Sequence, residues 1–539
     1  MKADFNSGDR KNNYSCKSKL KEYKGINPFV TSFYKYNMNA LNKFYERMSH
    51  NIECMSHNMA NYYRNCYKAF EKAANINKPS CCEKTFSDCN KCDKNEIKDI
   101  FPANGHDIFN YLVRHNMRNP QIQVVMKIDG RLDFDKLKRA VRLSVDAVPV
   151  LGCRFVEDDL PYWKRLDNIN EINFCSIEET NYADEAVKRF LQSPLDMEND
   201  PMVKVKIIRS KENDILGVKV NQICCDGTGI KEYIKLLAKI YSHLDQRSVS
   251  FMPVSKRDIS YDQVKLFKEL IAIFPDLKWN PEPVTRKVMW SFPWIQSGGD
   301  SVLFSVCRFP EGSLDSISKY GKLKGATVND LILTALYRVM FNTSMPRYGV
   351  PMDIFSTVDL RKFLPAQKDH AVRNLSGGFI TRIPRLINES FEGTLSRVMQ
   401  ATKKIKNRYP GESKITGQEN TENACLTYYN NYFELMSQTS EIASQSSNYI
   451  GKVCFPGLYD IGCISKSLIS FGNNVVTDAY VILPVIRAPG LLLLASTYND
   501  TLTLSVGYSK NSVSPRYMEG FLNKIKNELL RECRVVDEV

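Results

Sequence analysis

Seven consecutive residues, Asn221-Gln222-Ile223-Cys224-Cys225-Asp226-Gly227, hold two carboxamides, two adjacent thiols and a carboxylate. They follow the apolar run Ile215-Leu216-Gly217-Val218-Lys219-Val220 and precede a helical pattern that starts at Ile230. The order reads as a strand, a sharp Asp-Gly turn and a helix. Continued strand alternation places Gln222 and Cys224 on one face. Cys224 or Cys225 is a candidate nucleophile able to accept an acyl group from a thioester. No activating base lies beside either in the sequence, and an apolar setting raises a thiol pKa, so core packing is the competing reading. Asn221 and Gln222 cannot take a proton at physiological pH, but both donate and accept hydrogen bonds.

The chain has six histidines, His50, His57, His106, His115, His243 and His370, and none falls in this stretch. His370 follows Arg361 in a loop-like segment and is the one best placed to reach a site formed there; a solvated loop histidine is the plainer reading.

The elements that must position these groups alternate between strand and helix from about Phe101 onward. Gln121–Ile128, Met202–Ile208 and Ile215–Gln222 read as strands, Phe134–Val145 and Ile230–Leu244 as amphipathic helices. A Pro-rich stretch, roughly 274–293, precedes a second half. There Val302–Phe309, Met352–Val358, Gly377–Ile383, Ala479–Ile486, Leu491–Thr497 and Leu502–Val506 read as strands. Thr327 and Asp330 have capping-box spacing at a helix start, and Pro515 opens a closing helix to about Glu532.

The first hundred residues differ. Met38, Leu41, Tyr45, Met48, Ile52, Met55, Met59, Tyr62, Cys66, Ala69 and Ala73 alternate by threes and fours, which predicts one long heptad helix over about 35–75. Its seam is rich in Met and Tyr and suits either docking on the chain or coiled-coil pairing with a partner protein. Cys81, Cys82, Cys89 and Cys92 follow; Cys89 and Cys92 have zinc-like spacing, but without a nearby histidine the competing reading is a linker with reduced thiols. Three domains are therefore expected: 1–100, 101–275 and 276–539.

A length of 539 residues exceeds what one core supports, and 43% hydrophobic content is that of a folded protein. The start is polar, and no apolar run reaches a membrane span, so no span and a cytoplasmic location are expected. The sixteen cysteines are mostly isolated in apolar segments, unlike a secreted disulfide framework. Half of the net charge of +14 lies in the first 100 residues, with 15 Lys and 3 Arg against 5 Asp and 6 Glu. No compact basic cluster forms, so a nucleic-acid partner is not expected.

Taken together, the motifs resemble the condensation-domain and chloramphenicol-acetyltransferase-like superfamily, which includes alcohol acetyltransferases. The resemblance runs over about residues 101–535. It rests on five pieces in order: Ser193-Pro194-Leu195-Asp196 with Asp200-Pro201-Met202, Asn221 to Gly227, Ala326 to Asp330, Val358-Asp359-Leu360-Arg361, and Ser447-Asn448-Tyr449-Ile450-Gly451. The second piece fits the frame His-His-x-x-x-Asp-Gly, with Asn221 and Gln222 standing where the histidines would be. The resemblance implies an α/β fold of two acetyltransferase-like lobes in a V around a central tunnel, with the long N-terminal helix added. It implies a CoA or phosphopantetheine thioester as co-substrate, with no bound cofactor, and a small-molecule acceptor. The motif's second histidine is the family's general base, so activity here is expected to be weak, altered or lost; the alternative is an inactive homologue that binds an acyl ligand or a protein. Asn221, Gln222 and Asn448 are the candidate catalytic positions. Asp226, Gly227 and Arg361 are the structural ones, with Asp226 paired to Arg361.

Overall fold

The computed structural model describes residues 100–103, 107, 110–111, 117–156, 162–196, 200–211, 213–244, 290–295, 301–359, 361, 371–406 and 453–534. The predicted helix over 35–75, the Cys81–Cys92 cluster, most of the Pro-rich stretch, His370 and the Ser447–Gly451 segment lie outside them.

The first sheet is built on β1 (Gln121–Ile128). From the same half of the chain it also takes β2 (Cys175–Glu179), β3 (Val203–Ser210) and β4 (Asn213–Asn221). Every side chain of β1 except Lys127 is buried, because partners lie on both edges and helices on both faces. Ile122, Val124, Met126 and Ile128 enter the main core, where α1 (Phe134–Ala147) and α3 (Gly227–His243) pack. Val125 faces the other way, under α2 (Ala183–Gln192), with Phe190, Ile208 and Ile482.

The second sheet uses β5 (Val302–Arg308), β6 (Pro351–Asp359), β7 (Ser376–Pro384), β8 (Val453–Cys463), β10 (Gly490–Tyr498) and β11 (Thr501–Ser509), in the order β5-β11-β10-β8-β6-β7. Pairs β6–β8 and β8–β10 are parallel, the others on that path antiparallel. Its core is closed by α4 (Val328–Ser344), α5 (Phe391–Lys406) and α6 (Pro515–Glu532). Thr327 accepts from the Asp330 N–H at 3.2 Å while Asp330 accepts from the Thr327 N–H at 2.9 Å, the reciprocal capping box its spacing predicts.

One of the strands read from sequence is divided in the structure. The Ala479–Ile486 run is not one strand. β9 (Asn474–Ile482) pairs with β1, while Val485–Ile486 turns away to pair with Met117–Asn119. β9 comes from the C-terminal half yet completes the first sheet, so the sheets do not divide at residue 275. The chain has a mixed α+β architecture of two large sheets, and the Asn221–Gly227 turn lies where β4 passes into α3.

Candidate active site

Strand β4 stops at Asn221, and residues 222–224 form a turn. Three bonds fix its path. The Gln222 N–H donates to the Pro120 carbonyl at 2.9 Å, the Cys224 N–H to the Asn221 carbonyl at 3.2 Å, and the Ile223 N–H to Asn221 Oδ1 at 3.0 Å. The alternation that would put Gln222 and Cys224 on one face ends with the strand. Cys224 instead points into the first core, fully buried, as does Cys225. Burial pushes both thiols well above the usual cysteine range. Full burial of both thiols agrees with the core-packing reading.

Asp226 caps α3, and its Oδ1 accepts from the Gly229 N–H at 2.6 Å. Its Oδ2 accepts from the Leu375 N–H at 2.7 Å, from Ser376 Oγ at 2.9 Å and from Arg361 Nη1 at 3.1 Å. Arg361 Nη2 lies 3.0 Å from Asp226 Oδ1, so the pair the resemblance implies is present and bidentate. The Arg361 guanidinium also donates to the Ala371 and Arg373 carbonyls and to Asp359. Burial works against ionising Asp226, but the Arg361 charge and the donors around it outweigh burial and hold the carboxyl below its ordinary range. Arg361 is held fully charged by the same pairing, against the opposing effect of burial.

Gly227 does not adopt a left-handed backbone. It is required by closeness: a Cβ there would sit 2.9 Å from Ile461 Cγ2 and 3.1 Å from Tyr459 Cε1 on β8. Gly229 is similarly confined: a Cβ there would sit 2.6 Å from Cys225 Sγ and 3.0 Å from the Arg373 carbonyl.

Six residues that carried no sequence signal complete the frame. Asn374 Nδ2 donates to the Gln222 carbonyl at 3.0 Å and the Ile223 carbonyl at 2.6 Å. Arg373 and Asp107 form a buried ion pair at 3.3 Å, with Trp163 Nε1 donating to Asp107 at 2.8 Å. Ser376 bonds both Asp226 and the Tyr459 hydroxyl. The segment 371–376 is long-range in sequence from the turn, and its polar residues show no period, which is why they were missed.

Within this frame the Gln222 side chain is half-buried, and its Oε1 is buried with no partner among the described residues. Asn221 is buried, with Oδ1 used by the turn and Nδ2 without a partner. Asn448 lies outside the described residues. His243 sits at the far end of α3, about 24 Å from Gly227 at 1.5 Å per residue, and takes no part in the turn. Among the described residues no cluster of metal-ligating side chains occurs, and no helix is long and apolar enough to cross a membrane.

Among the described residues this arrangement offers carboxamide hydrogen-bonding groups and no imidazole. Comparison with known proteins places it. The family model of the condensation domain matches residues 113–262. Bacitracin synthase 3 of Bacillus licheniformis is 23% identical over 297 residues, 52% of this chain and 4% of that protein, so the chain spans a small part of its relative. Among solved structures, the first condensation domain of the calcium-dependent antibiotic synthetase aligns with a TM-score of 0.55 at 14% identity, covering 82% of this chain and 98% of that one. A trichothecene 15-O-acetyltransferase from Fusarium sporotrichioides aligns with a TM-score of 0.58 at 11% identity, covering 81% and 96%. The starter condensation domain of rhizomide synthetase, in complex with C8-CoA and Leu-SNAC, aligns with a TM-score of 0.52 at 11% identity, covering 82% and 97%. A condensation-domain model thus matches part of the chain, and over about four-fifths of its length the chain shares the fold of these condensation domains and this acetyltransferase.

Proposed function

We propose that this chain transfers an acyl group from a CoA or carrier-protein thioester to an amine. The observation that carries the reading is Gln222: a half-buried carboxamide whose Oε1 has no partner among the described residues, beside a turn whose Asp226–Arg361 pair is intact. A histidine base contributes roughly 10²–10⁴ in rate, and a carboxamide cannot supply that part. A neutral amine attacks a thioester without prior deprotonation, so positioning and a hydrogen bond to the developing oxyanion are the contributions left to the protein. Gln222 would donate that bond. The neighbour that holds C8-CoA with Leu-SNAC agrees with an acyl donor and an amine-bearing acceptor; the 15-O-acetyltransferase keeps an alcohol acceptor in view.

The experiment is thiol release from a panel of acyl-CoAs with amine and alcohol acceptors. Turnover with amines, reduced about tenfold or more in Gln222→Ala, supports the reading, since a lost oxyanion donor costs up to 10²–10³. Background rates in both proteins overturn it. Saturable acyl-CoA binding without turnover then favours the second reading, an acyl-binding module, for which the missing base is itself the supporting observation.

A further inference from the structure

The motif turn lacks a base, but the strand leading into it carries an amine in an unusual place. Lys219 on β4 is 2% exposed. Its Nζ lies 2.7 Å from Ser193 Oγ and also donates to the Ser193 carbonyl. No carboxylate pairs with it among the described residues. The Phe190 ring covers the amine, with 4.2 Å from Nζ to the ring centroid. Ser193 ends α2, and in contrast to Lys219 it is exposed. The serine segment is pinned in place: Gln121 Nε2 donates to the Ser193 carbonyl at 3.0 Å, and Gln121 Oε1 accepts from the Leu195 N–H at 2.7 Å. Directly across from Lys219 on β1 is Gln123, fully buried, with neither amide atom partnered among the described residues.

The Ser193 hydroxyl donates its one proton to the Phe190 carbonyl at 3.0 Å while its oxygen accepts from Lys219 Nζ, so transfer of that proton to Nζ first requires the hydroxyl to turn from Phe190. Burying an unpaired ammonium is costly, whereas a neutral amine donates to the Ser193 carbonyl and keeps a lone pair for the Oγ–H. Burial pushes Lys219 down to about 7, with the charges of Lys204 and Lys206 acting the same way and Asp200 opposing. Lys204 and Lys206 are themselves paired with Asp200 and Glu178, α2 presents Phe190, and β1 presents only Gln121 and Gln123.

We propose that Ser193 and Lys219 form a serine–lysine acyl-transfer dyad that takes an acyl group from an ester or thioester, with Ser193 as nucleophile and Lys219 as general base. The Oγ–H proton passes to Nζ as Oγ bonds the acyl carbon. Collapse breaks the C–S or C–O bond, and the leaving group takes the proton from Nζ and departs as thiol or alcohol. Water or an amine then attacks the acyl-serine, its proton passing through Nζ back to Oγ, and releases an acid or an amide.

The full chain is treated separately with p-nitrophenyl acetate and with a fluorophosphonate, and the modified residue is located by peptide mass. One modification at Ser193 is expected, absent in Ser193→Ala. Its rate rises with pH through about 7 and then levels, because the base is the neutral amine. Folded Lys219→Met labels at least about a hundredfold more slowly. Should that variant not fold, the wild-type pH profile and Ser193→Ala decide. Labelling no faster than at other exposed serines, a flat pH profile, an unchanged rate in folded Lys219→Met, or modification of Lys219 itself overturns the dyad. Ser193 labelling is read apart from acyl-CoA turnover, so the dyad and the Gln222 reading fail independently.

Discussion

Replacing Asp226 with Asn tests whether the Asp226–Arg361 pair holds the two sheets together at the site. The substitution keeps the shape and much of the helix cap but removes the charge that Arg361 faces at 3.0 Å, in a setting where both residues are almost wholly buried. Arg361 retains Asp359, which is partly exposed, as its only carboxylate partner among the described residues. Breaking a buried pair from one side costs roughly 3–5 kcal/mol, a large share of a total stability of about 5–15 kcal/mol. With an m-value of roughly 3 kcal/mol per M, the urea midpoint falls by on the order of 1 M. Tryptophan fluorescence reads both cores, since Trp163 lies in the first and Trp290 and Trp294 in the second. Arg361→Met strands Asp226 instead. The double variant is expected to lose less than the sum of the singles by about 0.5–3 kcal/mol, because neither charge is then left alone. The pH dependence has a definite sign. Asp226 is held below its unfolded value, so its contribution is fully present above about pH 4 and is lost as pH falls through the folded value. The wild type should lose stability in acid more steeply than Asp226→Asn. Singles that cost under about 1 kcal/mol, or that add without coupling, would refute the reasoning.

Three further outcomes are expected. Gln222→His restores a group that titrates near neutrality and raises thiol release with alcohol acceptors by roughly 10²–10⁴, with a rate that increases through about pH 6.5; no gain would mean that position 222 does not face the reacting centre. Gly227→Ala drives a methyl against Ile461 and Tyr459 and destabilises by about 1–3 kcal/mol in urea melts; a neutral result would show that β8 can retreat. Native iodoacetamide labelling, mapped by peptide mass, marks exposed Cys463 and spares buried Cys224, Cys225 and Cys454 until unfolding. Early labelling of Cys224 would bring back the thiol nucleophile.

The elements with a clean period were legible from sequence. Gln121–Ile128 is a strand as read, and Thr327 with Asp330 forms the expected cap. The Asp226–Arg361 pair was legible through the resemblance, since 135 positions separate its members and no local pattern links them. Helix α2 and strand β2 were missed, as were α5 and β8. The Ala479–Ile486 run was overextended because its apolar composition does not show where the chain leaves one sheet for another pairing. Asn374 and Arg373 were invisible because their partners, the Gln222 and Ile223 carbonyls and Asp107, are set by tertiary packing alone.

The bonds at the turn also explain why its frame places little demand on the side chain at 222. Asp226 spends its lone pairs on Gly229, Leu375, Ser376 and Arg361, and none on the side chains at 221 or 222. The path of residue 222 is fixed through its backbone, by Pro120 on one side and Asn374 on the other. Its side chain therefore carries little of the frame's stability and is free to change character. Chemistry and scaffold are separable here, and an intact Asp226–Arg361 pair is evidence for the fold, not for turnover. Evidence for turnover must come from groups uncommitted to the frame; among the described residues Gln222, with its unpartnered Oε1, is one such group, and the amine of Lys219 beside Ser193, three residues earlier in the chain, is another.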